Sequence, residues 1–580
     1  MEFKNIIRFC GVAASVVCIL AACEKDPLQP AENYKPKAGE YYLPMIETTD
    51  IHGHLVEIES NTVHYRLAYI ADKVQDIRFR NGKTNKNRLL LLDGGDLYQG
   101  ASVSNLLSGK PVYTAMDLMG YDAVALGNHE FDWGVEDMID TDATLPDYEW
   151  NGSMHSNQIP VLCANLYRNG SRVSFTRDYE IVEKTAIGAR GDSVKVKIGI
   201  VGFAQDYAGS IMATQFTGKG YSIQENYQIA NDIAASLEAS GQCHATVLLT
   251  HEAAANAATK LGAGSPFDLV LGGHSHRTAS GLTDWGLPYL QGGRYCEHYA
   301  YADLRFIVDQ DGNVTFKGVN NRKIVAVEPS RDIHNYPGQN STELSEDIME
   351  VSDYAISATL EQQNDVIGYI TVGATSWYLN GSGDRAATIS NWMCDIIRRI
   401  GGADVAFVNA GGIRTTLPLN GQSRRDITVA NVYEMFPFNN TIYVYEITYA
   451  ELLQLLEYSM TSGGQSLFSR MTGIDCRYTQ TEHVSSSGDK WYTYAVYSLS
   501  MDENEIYRNH SWAGDWASRT LILAVSEYLA TTERTDYYTN LSNPLLEWNS
   551  SPRLRINDMI DNENAVRVLR SEAAASSGHL

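Results

Sequence analysis

Short apolar runs alternate with longer polar stretches along residues 41–330. Each run has the length of a buried β-strand, and two of the stretches between them, Leu67–Arg80 and Gln228–Ser240, have apolar residues at helical spacing. This alternation predicts an α/β domain or a mixed sandwich. The runs are Tyr42–Thr48, Leu89–Leu92, Ala123–Leu126, Lys197–Val201, Ala245–Thr250 and Asp268–Leu271.

The pattern is interrupted in two places. Gly134–Pro160 is polar and irregular, which predicts a surface insertion. Residues 331–365 begin as a polar stretch and continue into Glu343–Gln363, where apolar residues recur near helical spacing and predict a connecting helix. A second region of α/β pattern follows from residue 366 to about residue 556.

The length of the chain supports this division, because 580 residues exceed what one hydrophobic core usually organises. We predict six segments. Residues 1–22 form a signal peptide, 23–40 a tether, 41–330 a first domain, 331–365 a linker with a connecting helix, 366–556 a second domain, and 557–580 a C-terminal tail.

The N-terminus has the features of an export signal. Lys4 and Arg8 precede an apolar run, Phe9–Ala22, that is too short to span a bilayer comfortably. The run ends in Leu20-Ala21-Ala22-Cys23, which resembles a bacterial lipobox, so we expect Cys23 to be lipidated. The chain would then be anchored to the cell envelope, at the periplasmic or surface face of the outer membrane. The alternative is an ordinary signal peptide with a chance cysteine.

The net charge of −25 narrows the range of partners. Nucleic-acid polymers are held mainly by Lys and Arg, so we expect no binding to such polymers. A small phosphate substrate is not excluded, because bound divalent metals can reverse the local field in one pocket. The sequence also has no phosphate-binding P-loop and no serine-hydrolase elbow.

Candidate metal ligands follow five of the predicted strands, often beside glycine. The carboxyl ends of strands meet in one crevice in α/β folds, so we expect these side chains to converge. Alternate residues of an extended segment point to the same side, so Asp50 with His52, and His274 with His276, would reach one ion. The clusters are Asp50-Ile51-His52-Gly53-His54, Asp93-Gly94-Gly95-Asp96, Gly127-Asn128-His129-Glu130-Phe131-Asp132, His251-Glu252 and Gly272-Gly273-His274-Ser275-His276.

These five clusters resemble the calcineurin-like metallophosphoesterases and, among them, the 5′-nucleotidase/UDP-sugar hydrolase family. The resemblance implies a four-layer metallophosphoesterase sandwich joined by a linker helix to a second α/β domain that binds the substrate. It implies that Asp50, His52 and His276 hold one metal ion. It implies that Asn128, His251 and His274 hold a second ion, that Asp96 bridges the two, and that His129 and Asp132 form a catalytic dyad.

Mixed imidazole, carboxylate and amide ligands suit manganese, zinc, magnesium, cobalt or iron, so the identity of the two divalent ions stays open. Four residues beside the candidate ligands are predicted not to bind metal themselves. His54 is interpreted as an exposed or supporting residue, Asp93 as shaping the turn before Asp96, and Glu130 and Glu252 as supports of the ligands.

The second half of the chain contains a candidate substrate site. Asn409-Ala410-Gly411-Gly412-Ile413-Arg414 is a glycine turn that displays an arginine, which suits an anionic ligand. Phe436-Pro437-Phe438 offers aromatic rings that either stack on a base or fill the core.

This half resembles the 5′-nucleotidase C-terminal domain. The resemblance implies that Arg385 and Arg414 hold polar groups of the substrate, that Asn409 bonds the base within the Gly411-Gly412 turn, and that Phe438 stacks on the base. Phe436 keeps the core interpretation. The second stacking aromatic of the family has no clear counterpart, since only Trp512-Ala513-Gly514-Asp515-Trp516 has a similar composition.

We therefore expect a metal-dependent phosphoric ester hydrolase that converts nucleoside 5′-monophosphates to nucleoside and phosphate with a hydroxide activated by two metals. One alternative is a UDP-sugar hydrolase or a 2′,3′-cyclic nucleotide phosphodiesterase with the same centre. An alternative of another class is a surface lipoprotein that binds nucleotides or a partner without turnover. The choice of phosphate ester and the oligomeric state stay open.

Overall fold

The computed structural model describes residues 37–59, 62–80, 82–207, 211, 214–327, 343–370, 388–417, 419, 421–438, 442–461, 474–484, 490–501 and 504–531. The predicted signal peptide, the lipidation site Cys23, Arg385 and the C-terminal tail lie outside these residues.

Twelve strands of the first half form one mixed sheet. They are β1 (Gly39–Thr48), β2 (Leu90–Asp93), β3 (Ala123–Ala125), β4 (Val161–Leu162), β5 (Tyr179–Gly188), β6 (Ser193–Ala204), β7 (Ala245–His251), β8 (Leu269–Leu271), β9 (Thr278–Leu282), β10 (Pro288–Gly292), β11 (His298–Val308) and β12 (Val314–Ala326). The hydrogen-bonded order is β4-β3-β2-β1-β5-β6-β7-β8-β10-β9, and β11 pairs with β1 and β12. Each of the six predicted apolar runs overlaps one of these strands.

The strand directions place the candidate ligands on one edge. β1, β2, β3 and β4 are parallel to one another, as are β6, β7, β8 and β10. Strand β5 is antiparallel to both of its neighbours, β1 and β6, so the two parallel groups run in the same direction. The carboxyl ends of β1, β2, β3, β7 and β8, which precede the five clusters, therefore share one edge of the sheet.

Helices cover both outer faces of this sheet. Leu43 and Met45 of β1 lie in a core between the two parallel groups, whereas Ile46 packs towards α1 and α3. Leu248 of β7 packs in a third core against α5 and α6. The single sheet thus forms two layers, one for each parallel group, and the layering is helix, sheet, sheet, helix, as expected. The helices are α1 (Arg66–Arg78), α2 (Ser102–Asn105), α3 (Lys110–Met119), α4 (Val135–Met138), α5 (Tyr227–Ala239), α6 (Ala254–Leu261) and α7 (Glu343–Asn364).

The connecting helix α7 packs as part of the first domain. Ile348 and Val351 are fully buried in the same core as α1 and α3. Most of the apolar positions that predicted this helix therefore anchor it, whereas Leu360 near its end is 50% exposed. Among the described residues, no helix has the length and apolarity needed to cross a membrane.

The second half is a separate α/β unit with its own cores. Strand β14 lies beside β21, which pairs with β16, and four further strands form the sheet β17-β18-β19-β20. The strands are β13 (Val366–Ile370), β14 (Val405–Phe407), β15 (Arg425–Thr428), β16 (Ile442–Thr448), β17 (Ile474–Val484), β18 (Lys490–Met501), β19 (Asn504–Arg508), β20 (Ser511–Trp512) and β21 (Thr520–Ser526). The helices are α8 (Thr388–Ile400), α9 (Val429–Met435), α10 (Tyr449–Thr461) and α11 (Glu527–Thr531).

Gly134–Pro160 is more deeply embedded than its polar composition predicts. Ile139 and Leu145 are buried in the first core. Tyr148 is buried as well, and its hydroxyl donates to Asp117 Oδ2 at 2.6 Å. The surface-insertion prediction is wrong for these residues. Isolated apolar residues in a polar segment have no periodicity, so their burial gives no signal in the sequence.

Gly202 in β6 tests how tightly the strands pack. A Cβ at Gly202 would lie 2.4 Å from backbone and side-chain carbons of Leu162 in β4. At Gly199 of the same strand, a Cβ would meet only the side-chain ends of Leu237 and Cys243, at 3.0 and 3.2 Å. We expect Gly202→Ala to lower the free energy of unfolding by about 1–3 kcal/mol. Gly199→Ala should cost less, because those side chains can move, and equal shifts in the thermal midpoints would contradict this packing.

Candidate metal centre

Backbone hydrogen bonds join the loops after β1 and β2. Asp50 N donates to Gly95 O at 2.9 Å, His52 N donates to Asp96 O at 2.9 Å, and Gly53 N donates to Leu97 O at 2.8 Å. Because this pairing involves three successive bonds, the carboxylates of Asp50 and Asp96 and the imidazole of His52 are held side by side.

Five of the seven predicted ligands have left-handed backbone conformations. The φ angles are 52° at Asp50, 49° at His52, 60° at Asp96, 67° at His274 and 56° at His276. The extended geometry predicted for Asp50-x-His52 and His274-x-His276 is therefore wrong, although each pair does converge. Left-handed non-glycine residues cost about 1–3 kcal/mol each and cluster at functional sites, where the surroundings enforce them.

The predicted ligands lie in two adjoining groups. Ligand atoms of Asp50, His52, Asp96 and His276 lie within 4.8 Å of one another, and so do those of Asp96, His251 and His274. The seventh residue, Asn128, places Oδ1 2.8 Å from His274 Nδ1. The structure thus brings together all seven residues, and Asp96 belongs to both groups, as a bridging carboxylate would.

Backbone carbonyl groups fix the orientation of two of the imidazole rings. His52 Nδ1 lies 2.6 Å from Gln99 O, and His251 Nδ1 lies 2.7 Å from Gly94 O. A carbonyl oxygen only accepts, so we assign the proton of each ring to Nδ1. Each Nε2 then offers a lone pair to the centre, which is the usual arrangement for a metal-bound histidine.

The buried polar atoms of the centre fit divalent cations. Asp50 Oδ1 and His251 Nε2 belong to fully buried residues and have no hydrogen-bond partner among the described residues, although His251 Nε2 lies 3.0 Å from Asp96 Oδ2. Burial raises the pKa of Asp50 to about 7 and lowers the pKa of His52 well below its usual value. Metal ions would satisfy these lone pairs and stabilise the carboxylates, so the side chains are suited to a dimetal site.

The predicted dyad adjoins the ligand cluster. His129 Nδ1 lies 2.7 Å from Asp132 Oδ2, and His129 Nε2 lies 4.0 Å from Asp96 Oδ2. Burial lowers the pKa of His129, but the carboxylates of Asp132 and Asp96 outweigh burial and raise the pKa overall. The ring therefore favours its protonated form and faces the metal ligands.

Glu130 joins two of the ligand loops. Its buried carboxylate accepts from Leu97 N at 2.7 Å, Asp96 N at 3.1 Å and Gly127 N at 2.7 Å. Gly127 leaves room for this contact, since a Cβ there would lie 2.7 Å from Glu130 Oε2 and 2.2 Å from Asp96 Oδ1. The interpretation of Glu130 as a support thus gains a specific geometry.

The other neighbours also have defined partners. Asp93 Oδ1 accepts from Gly95 N at 2.8 Å, within the turn before Asp96. Glu252 bonds the hydroxyl of Tyr227 and lies 2.7 Å from Lys260 Nζ. His54 stacks on Tyr295, with ring centroids 4.1 Å apart.

Sequence reasoning missed Tyr295. Its ring contacts His52 and His276 at centroid distances of 5.7 and 5.5 Å, and its N–H donates to Asp50 O at 2.8 Å. Tyr295 follows strand β10 and the pair Gly292-Gly293. A strand with two glycines at its end also precedes ligand loops such as Gly272-Gly273-His274. At Tyr295 the residue that follows is not a metal-ligand type, so the sequence alone did not predict a role for it.

An aromatic ring of the second domain, that of Phe438, packs beside the predicted dyad of His129 and Asp132. The Phe438 ring lies 5.4 Å from the His129 ring, and Arg414 Cζ lies 5.3 Å from the centre of the Phe438 ring. Asn409 Oδ1 is buried without a hydrogen-bond partner among the described residues, next to the short 3-10 turn Ala410–Gly412. Phe436 is 4% exposed and belongs to the second-domain core.

The two tryptophans considered for the second stacking position pack within the second domain. Trp512 contacts Tyr507 at a centroid distance of 4.9 Å, and Trp516 contacts Tyr449 at 5.2 Å. Both belong to the edge of the apolar cluster that contains β16 and β21. These contacts give the two rings a packing role.

Glu130→Gln tests the support of the ligand loops. The amide of glutamine replaces one acceptor oxygen with a donor, so the three backbone N–H groups can no longer all be bonded. We expect the affinity for Mn²⁺, measured by calorimetric titration of metal-stripped protein, to fall about 10- to 100-fold. Glu149→Gln, at an exposed position, is the control, and an unchanged affinity in Glu130→Gln would refute the role.

Comparison with known proteins supports the prediction of two domains. Residues 366–508 match the family described as the 5′-nucleotidase C-terminal domain. The chain is 25% identical over 517 residues to a 5′-nucleotidase of Vibrio cholerae, covering 81% of this chain and 84% of that protein. It is 23% identical over 470 residues to the trifunctional nucleotide phosphoesterase YfkN of Bacillus subtilis, covering 77% of this chain but 29% of that longer protein.

The fold has a solved counterpart. The crystal structure of a 5′-nucleotidase precursor from Thermus thermophilus aligns with a TM-score of 0.61 and 19% identity, over 91% of this chain and 96% of that one. This likeness extends across both halves of the chain. The matched C-terminal domain, the related sequences and the shared fold all show similarity to 5′-nucleotidases.

Proposed function

We propose that the chain hydrolyses nucleoside 5′-monophosphates to nucleoside and inorganic phosphate. The observation that carries the proposal is the meeting of two sets of residues. The seven-residue ligand cluster of the first domain lies beside His129. Phe438 of the matched C-terminal domain packs on the same histidine, and Arg414 lies over the Phe438 ring. The names of the related nucleotidases support the same activity.

The ligand cluster would hold two divalent ions, with Asp50, His52 and His276 on one, Asn128, His251 and His274 on the other, and Asp96 on both. Such a pair of ions polarises a phosphoryl group and makes a water molecule nucleophilic near neutral pH. The contribution of the chain is to hold these seven side chains rigidly, through the paired loops and the buried carbonyl contacts of His52 and His251.

His129 supplies a proton or a hydrogen bond. Asp132 holds His129 Nδ1, so Nε2 is directed towards the place where phosphoryl oxygens would lie. Arg414 lies over the Phe438 ring and lines the same cavity as His52, so its planar guanidinium would reach phosphoryl oxygens at the metal centre. Both groups stabilise negative charge that grows on the phosphate as the ester bond breaks.

The nucleoside would bind on the second domain. Phe438 offers a ring face to the base. Asn409 Oδ1, which has no partner among the residues that the structure describes, would accept a hydrogen bond from the base. Because the Phe438 ring now packs on His129, an entering nucleotide must separate the two rings. Arg385, Gly411 and Gly412 complete the proposed substrate site on the basis of sequence resemblance.

We also propose the organisation of the full chain. Removal of residues 1–22 and lipidation of Cys23 would anchor the protein to the cell envelope through the tether 23–40, consistent with the basic start and apolar run of the sequence. The catalytic domain would extend over residues 41–330 and the substrate domain over residues 366–556.

His129→Ala and Asp96→Ala separate chemistry from metal binding. We expect His129→Ala to keep near-normal metal content, because no predicted ligand is removed, but to slow turnover at least about 10²-fold. Asp96→Ala should instead lose the metals, because one side chain belongs to both groups. Elemental analysis and phosphate release measure the two effects, and loss of metal in His129→Ala would contradict the assigned roles.

Phe438→Ala tests base stacking. Stacking of a base on an aromatic ring contributes about 1–3 kcal/mol, so we expect the KM for nucleoside monophosphates to rise roughly 5- to 150-fold. A small aryl phosphate serves as the control substrate, because it reaches the metal centre without a base. Equal losses on both substrates would remove the stacking role.

A further inference from the structure

A cavity of about 300 Å³ adjoins the metal centre on the side of His52. Its wall includes His52, His54 and Tyr295 of the first domain and Arg414 of the second. Phe438 and His129 do not belong to this wall, so the cavity is distinct from the surface proposed for the base. Its volume is at the lower end of the range found for small-molecule sites.

One side of the cavity is aromatic. The rings of His54 and Tyr295 are stacked, with 4.1 Å between centroids and 28° between planes. Arg294 lies over the Tyr295 ring, with Cζ 4.7 Å from the centroid. The apolar face of a small ring would pack well against such a surface.

The charged groups of the cavity balance one another. The lining contains three arginines, Arg66, Arg294 and Arg414, and three glutamates, Glu57, Glu297 and Glu434. Arg66 forms a salt bridge with Glu57, and Glu297 lies 3.6 Å from Arg66 Nη1 and 3.7 Å from Arg294 Nε. A further phosphate group would meet the carboxylates as well as the guanidinium groups, which disfavours an anionic occupant.

Hydroxyl groups suit this lining better than anions do. Each hydroxyl donates one hydrogen bond and accepts others, so one group can bond a glutamate and an arginine together. A cyclic polyol combines such hydroxyls with an apolar ring face. The aromatic wall, the balanced charges and the volume all match that chemistry.

We propose that this cavity is a subsite for a polyhydroxylated group carried by the scissile phosphate, so that the chain also hydrolyses phosphate monoesters of sugars. This inference rests on the proposed function, because it uses the same metal centre. Water adds its oxygen to phosphorus, the bond from phosphorus to the ester oxygen breaks, and the sugar leaves as an alcohol that has gained a proton. The products are the free sugar and inorganic phosphate.

The test compares two ring-bearing esters of primary alcohols, glucose 6-phosphate and cyclohexylmethyl phosphate. The two differ chiefly in the ring hydroxyls. With the metal-loaded full chain, we expect kcat/KM for glucose 6-phosphate to exceed that for cyclohexylmethyl phosphate by about tenfold or more. A single charge-assisted hydrogen bond accounts for a difference of that size.

Arg294→Ala and Glu297→Gln should each abolish this preference through a higher KM, and leave the hydrolysis of a nucleoside monophosphate within about twofold of the unaltered chain. Retained nucleotidase activity shows that each variant is folded. Arg190→Ala, at an exposed position away from the lining, is the matched control.

The outcomes distinguish the two proposals. A chain that hydrolyses the nucleoside monophosphate but not glucose 6-phosphate, or hydrolyses both ring esters equally well, overturns the sugar subsite alone. A metal-loaded chain that releases phosphate from neither nucleotide nor sugar ester overturns the proposed function and the subsite with it.

Discussion

The attraction between divalent cations and a crowded set of buried lone pairs is the interaction on which the rest of the structure depends. Asp50, Asp96, His52 and His251 are almost completely buried and lie within a few ångströms of one another. Burial raises the pKa of Asp50 to about 7, so cations beside this carboxylate would favour its ionised form. The parallel strand ends, the paired loops and the carbonyl contacts behind the imidazoles are all arranged to present these lone pairs to one small volume.

Much of the fold could be predicted because strand cores are buried on both faces. Continuous apolar runs such as Ala245–Thr250 mark a strand without reference to any partner, and the ligands that follow them mark the shared edge. The local conformation of the ligands could not be predicted. The surrounding loops enforce the left-handed backbone of Asp50 and His276. Neither aspartate nor histidine by itself predicts that conformation. The sequence predicted a supporting role for Glu130 because it follows His129. It could not predict the three backbone N–H partners, since two of them lie in a loop that is distant in sequence.

In the proposed site, the first domain would hold the metals and the second would supply most of the contacts to the substrate. Every predicted metal ligand lies in the first domain, whereas Arg414, Phe438 and Asn409 belong to the second. The fold alone does not determine the substrate, because the same centre serves any ester whose phosphate reaches it. What distinguishes one ester from another is the surface beside the centre, which here has two parts, the Phe438 face and the charge-balanced cavity next to His52.

The left-handed ligand positions have a consequence for how such a chain can diverge. A descendant that lost its metals would keep five unfavourable backbone conformations but not the attraction that offsets them. Replacement of these residues by glycine would then stabilise the inactive protein, so selection for stability alone would erase the ligand set. The five ligand positions therefore carry side chains where backbone preference alone would favour glycine.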